Sequence, residues 1–349
     1  MASAWERQSG ELVQEGFIVS GVLWSVAVIC GVMLLADLWY RWFASRRIQK
    51  VIENVPTFAA VPTPQLSDCP TLDIEVETEP AVRLQACLHA PRDGRDIDEA
   101  KALVIFCPEL NGSHWTALHY CAALLDAGYA VLAFDFRCQG TSQHLDHYTP
   151  IHWVTEYELQ DITAVLNHVK SDAQLSSLPL GIFGVSRGGS AALIAASRFP
   201  QIQSVFTDSA YTTMSLIRHF MYKFSRFVVP DWFFSRLPAW HIELDLKATL
   251  RRSEKALNRT YIQLEREARV LQQRPVPIQL VSGSRDSYVT PEVTQQVADA
   301  MGDSACVRIF DRAKHNKSRD RHPEEYDQIL VNHFEATLVA DSEKIRRAA

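Results

Sequence analysis

Hydrophobic and polar positions divide the chain into three textures. From Phe17 to Ala36 the stretch FIVSGVLWSVAVICGVMLLA is apolar all round and carries no charge. As a helix rising ~1.5 Å per residue it is about 30 Å long, enough to cross a hydrocarbon core. From residue 72 onward short apolar runs alternate with segments of helical period. The runs at 72–78, 82–90, 102–107, 129–136, 180–185, 204–208, 277–283 and 306–310 read as strands. Helices are expected at 113–127, 155–170, 187–198, 291–301 and 323–339, with Thr155 and Glu158 as a capping box. Such runs, apolar on both faces and separated by helices, predict an α/β fold. Its mainly parallel central sheet has about eight strands, with helices on both faces.

The third texture, 211–274, contains no strand pattern and reads as a helical lid inserted between two strands. Its first helical stretch sets Leu216, Phe220, Phe224 and Phe227 on one stripe, away from Arg218 and Arg226. That stripe either packs on the domain beneath or dips into an anionic membrane surface. Its second stretch aligns Leu257, Tyr261, Leu264, Ala268 and Leu271 on one face of a charged helix.

The flanks of the apolar run orient it. Trp39, Tyr40 and Trp42 follow as an interfacial belt, then Arg41, Arg46, Arg47 and Lys50, whereas Glu6, Glu11 and Glu15 outnumber Arg7 upstream. The positive-inside rule predicts an external N-terminus and a cytoplasmic domain. A cleaved signal peptide fits less well, because its basic residues would precede the apolar run and no A-x-A site follows. A buried core helix would be unusually apolar all round. The expected organisation is a flank at 1–16, a single transmembrane anchor at 17–40 and a basic juxtamembrane segment with Pro-rich linker at 41–71. The α/β domain follows at 72–340, with its lid at 211–274, and a charged tail closes the chain at 341–349.

Composition removes some functions. With a net charge of −6 over 349 residues and no basic face, no nucleic-acid partner is expected. The seven cysteines are scattered without CxxC or zinc-like spacing. They read as free, mostly buried thiols in a reducing compartment, in line with the cytoplasmic side. His144, His147 and His152 cluster without carboxylate partners at ligand spacing, which makes them a polar loop near the cleft and only a weak metal candidate. No metal or organic cofactor is expected.

Chemistry concentrates at Gly184-Val185-Ser186-Arg187-Gly188. A strand, a sharp turn with G-x-S-x-G and a helix rich in small residues form the context of a nucleophile elbow. Glycines flank the serine because a strained turn leaves no room for side chains, and a helix N-terminus beneath favours negative charge. An exposed serine needs a histidine to take its proton and a carboxylate to orient that histidine. In this fold class they follow in the order acid, then His. Asp286 lies just past the strand PIQLVSG and His315 just past CVRIF, so all three converge on one sheet edge. Asp208, after SVFTD, is the alternative acid. His322, in the same loop as His315, is farther from its strand and precedes Pro323.

Residues 72–340 resemble the α/β-hydrolases through VIFCPELNGSHW, YAVLAFDFRCQGTS, IFGVSRGGSAA, LVSGSRDSYVTPE and AKHNKSRDRHPEEY in the expected order. Asp135, Arg137, Gly140 and Ser142 match that superfamily's D-x-R-G-x-G-x-S turn, with Cys138 replacing its first glycine. The resemblance implies an oxyanion hole made by the Arg187 N–H and a second N–H after the third strand. Leu110 is the first candidate for that donor and Glu109 the alternative. The loop departs from the usual His-Gly, and a Glu109 carboxylate near an oxyanion is unhelpful unless it points away or is neutralised by Arg187. The implied activity is that of a serine hydrolase acting on acyl esters or thioesters of small molecules; the membrane tether, not the resemblance, points to lipid-like ones. A non-catalytic binding module, an acyltransferase and a peptidase share the same features.

Overall fold

The computed structural model describes residues 2–54, 71–77, 81–225, 236 and 238–340. The Pro-rich part of the linker, Arg226 and Phe227 of the lid stripe, and the charged tail lie outside the described residues. The chain divides into two units, one of Met1–Glu53 with Leu237–Ser253 and one of Asn54–Arg236 with Glu254–Ala349.

In the first unit, residues Ala2–Glu53 form one continuous helix. Its segment Ser20–Lys50, whose most apolar 18-residue window has a mean hydropathy of 2.1, is long and apolar enough to cross a membrane. Val22, Trp24, Met33 and Leu35 are exposed along it. The helix Ala239–Leu257 lies, through Ser253, within this same unit. Its His241 meets Asp37 at 2.7 Å, and Asp245 lies 3.5 Å from Arg41, which itself pairs with Asp37 at 2.7 Å. Arg252 donates to the Trp42 carbonyl at 3.1 Å and to the Ser45 hydroxyl. Part of the expected lid is therefore joined to the N-terminal helix.

The second unit holds an eight-stranded sheet in the order β1-β2-β4-β3-β5-β6-β7-β8. The strands are β1 (Thr71–Val76), β2 (Val82–His89), β3 (Leu103–Cys107), β4 (Ala130–Phe134), β5 (Leu180–Val185), β6 (Ser204–Asp208), β7 (Ile278–Gly283) and β8 (Ala305–Phe310). The β1–β2 and β2–β4 pairs are antiparallel and all others parallel. Alternate residues of the central strands feed two cores. Leu103, Ile105, Ile182 and Val205 face one apolar cluster; Val104, Phe106, Phe183 and Phe206 face the other. Burial on both faces is why these strands read as unbroken apolar runs.

One helical expectation needs correction. The stretch through Leu257 and Leu271 is not one helix: it breaks where Asn258 takes φ 48°, and a new helix runs Leu264–Gln273. Tyr261 bridges back to Thr155, while Leu264, Ala268 and Leu271 are buried as a stripe. In the helix Thr213–Ser225, Leu216 and Phe220 are buried, and the Phe220 ring stacks edge-on to Tyr288 with centroids 5.7 Å apart. The described part of that stripe thus packs on its own domain. The cysteines are not all free: Cys87 is disulfide-bonded. Cys107 and Cys121 are free and buried, and burial pushes both thiols up.

Backbone approaches backbone closely at Gly188, where an added Cβ would overlap the carbonyls of Cys107 and Pro108. Neither backbone can retreat, so Gly188→Ala is expected to destabilise the protein by about 1–3 kcal/mol. Thermal melting of the full chain in detergent checks this, and an unchanged melting temperature contradicts it.

Candidate active site

Ser186 directly follows β5 and caps the helix Arg187–Arg198, with φ 51° and ψ −117°. A non-glycine residue in that region is strained by about 1–3 kcal/mol. The turn is held from both sides. The Ser186 N–H donates to the Asp208 carbonyl at 2.7 Å, and the Ser190 N–H returns to the Ser186 carbonyl at 3.1 Å. At Gly184 a Cβ would overlap the Gly188 carbonyl, so strand and helix touch through backbone alone.

The loops after β7 and β8 converge on this turn. Ser186 Oγ lies 3.0 Å from His315 Nε2, and His315 Nδ1 lies 2.6 Å from Asp286 Oδ2. Asp286 Oδ1 accepts the Tyr288 and Val289 amides at 2.8 and 2.9 Å, which leaves its other oxygen for the imidazole. The two loops are stitched by the Arg285 N–H donating to the Ala313 carbonyl at 2.9 Å. Tyr288 flanks the imidazole with ring centroids 5.9 Å apart. Ser186 and His315 retain 6% and 9% exposure, so solvent reaches the hydroxyl only narrowly. The arrangement can pass a proton from the serine to an imidazole whose tautomer is set by a carboxylate. His322 is elsewhere, its Nε2 2.7 Å from the Asp311 carbonyl.

The segment after β3 lies against the first turn of the helix Arg187–Arg198, by the same contact that crowds Gly188. The Arg187 N–H, at the helix start, and the Leu110 N–H have no backbone acceptor among the described residues. Glu109 is turned into its own loop: it is 3% exposed, and a Cβ at Gly112 would lie 2.7 Å from its carboxyl carbon. Arg187 does not neutralise it. That guanidinium pairs with Glu158 at 3.0 Å, donates to Gln139 Oε1 at 3.1 Å and lies over the Phe136 ring at 5.3 Å. Glu158 does two jobs, since it also closes the Thr155 capping box. The sequence announced the capping box; the pairing with Arg187, distant in sequence, had no signal.

His152 is buried beside Arg187 and His315, and burial pulls its imidazole down to about 4. His144 and His147 are exposed. Among the described residues no group of three or more His, Cys, Asp or Glu side chains is gathered for a metal.

Asp208 does not receive the imidazole. Its Oδ1 accepts the Ser209 hydroxyl at 2.8 Å, its carboxyl lies beside the Tyr326 hydroxyl, and burial pushes it up to about 7. From the ordinary 3.8 to about 7 the folded state therefore holds a proton that the unfolded chain has lost. The stabilisation is complete below the unfolded value and disappears as pH rises through about 7. Asp208→Asn, fixed in the neutral form, is expected to melt progressively higher than wild type between about pH 5 and pH 8. A difference in melting temperature that does not change with pH would contradict this.

The serine aminopeptidase S33 family model (Hydrolase_4) matches residues 98–322. Among solved structures, an esterase of Pyrococcus furiosus superposes with TM-score 0.55 at 23% identity, covering 82% of this chain and 100% of that one. Est1E of Butyrivibrio proteoclasticus gives TM-score 0.51 at 18% identity, covering 76% of this chain and 98% of that one. No curated protein matches the sequence. The fold, with the family match spanning more than half of the residues, leads to one assignment: the chain belongs to the serine aminopeptidase S33 hydrolase family, within the α/β-hydrolase superfamily.

Proposed function

We propose that this hydrolase is a membrane-anchored serine esterase or thioesterase acting on lipophilic acyl substrates. The observation that carries the reading is the hydrogen-bonded series Ser186–His315–Asp286, at 3.0 and 2.6 Å. Ser186 Oγ attacks the acyl carbon while His315 Nε2 takes its proton, and Asp286 stabilises the resulting imidazolium. The oxyanion accepts from the Arg187 and Leu110 amides, each such donor typically worth about 3 kcal/mol of barrier. Collapse expels an alkoxide or thiolate, which takes the proton from His315. Water, deprotonated by the same imidazole, then releases the acid and restores Ser186. The long apolar helix favours substrates drawn from a membrane.

The full chain in detergent is expected to react with a fluorophosphonate probe and to hydrolyse esters or thioesters with a preference for longer acyl chains. Ser186→Ala should lose the label, and turnover should fall by about a thousandfold or more. An unlabelled wild type would favour the binding module, and label that survives in the variant would exclude Ser186 as nucleophile. Products formed with added alcohols or amines distinguish acyl transfer, and amide substrates distinguish a peptidase.

The basic residues after the apolar helix argue for a cytoplasmic domain. The Cys87 disulfide is a feature of the opposite, oxidising side. Protease treatment of sealed vesicles separates these. Digestion of the domain in inside-out vesicles is expected, and protection there, with Cys87 oxidised in the native protein, would reverse the orientation.

A further inference from the structure

The two amides proposed to receive the oxyanion belong to segments far apart in sequence, the loop after β3 and the start of the helix Arg187–Arg198. Oxyanion stabilisation depends on donors held at fixed positions before charge develops, so some contact must set the distance between these segments. Beside the backbone contact at Gly188, which lies at the start of that loop, the Gln139 side chain touches both. Gln139 Oε1 accepts the Asn111 N–H at 3.1 Å and Arg187 Nη2 at 3.1 Å. Both partners can only donate, which fixes the orientation of the carboxamide.

Each arm of this bridge is itself constrained. Asn111 directly follows Leu110, takes φ 65°, and lies within a turn closed by the Gly112 N–H on the Glu109 carbonyl at 2.8 Å. Holding the Asn111 N–H therefore fixes the rotation of that turn and the direction of the Leu110 amide. On the other arm the Arg187 guanidinium is anchored by Glu158 and by the Ile151 carbonyl, at 3.0 and 3.3 Å. Gln139 has little freedom of its own. It is 4% exposed, and its backbone is tied to Phe136 and Ser142 at 3.0 and 3.1 Å.

The amide is a costly choice for this position. Gln139 Nε2 is buried with no hydrogen-bond partner among the described residues, a penalty that an apolar side chain would not incur. The double acceptance by Oε1 is what that cost obtains.

We propose that Gln139 is a positioning residue that sets the spacing of the Leu110 and Arg187 amides across the oxyanion site. This rests on the reading of Ser186 as nucleophile. The test uses the full chain in detergent with the preferred ester and a trifluoromethyl ketone, whose serine adduct carries the oxyanion. Gln139→Leu, which removes the acceptor, is expected to lower kcat by about tenfold to a hundredfold with KM changed less than about threefold. Affinity for the ketone should fall by the same factor as kcat. Gln139→Glu, which keeps an acceptor for both donors, should recover most of both. A merely structural role would lower the melting temperature without this parallel loss. Gln139→Met replaces the leucine variant if that one does not fold. If Ser186→Ala abolishes activity while Gln139→Leu keeps kcat, or loses kcat without ketone affinity, the proposal on Gln139 alone is overturned. An active Ser186→Ala protein would instead remove the reading beneath it.

Discussion

The turn at Ser186 is the constraint around which the second unit is organised. A serine at φ 51° and ψ −117° is stable only if its surroundings allow no alternative. Here the N–H is tied to β6, the carbonyl to the following helix, and the flanking glycines admit backbone on both sides. The crossing of helix over strand then determines where the segment after β3 can pass, because the Cys107 and Pro108 carbonyls abut Gly188. Loops from β7 and β8 complete the site at the same parallel edge. In this way one local backbone state decides which distant residues meet.

Charge around the turn is arranged in opposed manners. Asp286 accepts two amides and faces the imidazole, hydrogen bonds that compensate its burial. Asp208, one strand away, is equally enclosed but accepts the Ser209 hydroxyl instead of meeting the imidazole, and burial pushes its pKa up. Two carboxyls that look interchangeable in the sequence thus differ through the partners that surround them. Behind them, Arg187–Glu158 and Arg137–Asp161 form buried ion pairs at 3.0 and 2.6 Å. Removing one partner of such a pair leaves an uncompensated charge, so they hold the elbow helix and the turn after β4 in fixed relation to the helix Glu156–Ser171.

The strands were legible because burial on both faces leaves an unbroken apolar run, and the position of Asp286 and His315 followed from the ends of those runs. The elbow was legible because its glycines answer a steric demand local in sequence. Interactions between remote segments were not. The sequence leaves open whether Glu109 points away or is neutralised by Arg187; Glu109 folds into its own turn, and Glu158, remote in sequence, takes the guanidinium. The apolar stripe from Leu257 to Leu271 has helical period, yet Asn258 turns left-handed and divides it, which periodicity cannot register. Cys87 likewise has no local mark distinguishing it from a buried thiol.

The network of Asp37, Arg41, His241 and Asp245 alters how the protein can be cut. A chain shortened to begin after the apolar helix retains Leu237–Ser253 but loses the surface that segment rests on. Asp245 and His241 would then lose Arg41 and Asp37 and face solvent or one another, next to Trp240 and Leu244, which are already uncovered. Insolubility of such a fragment would report the missing partner helix and say nothing about the catalytic fold.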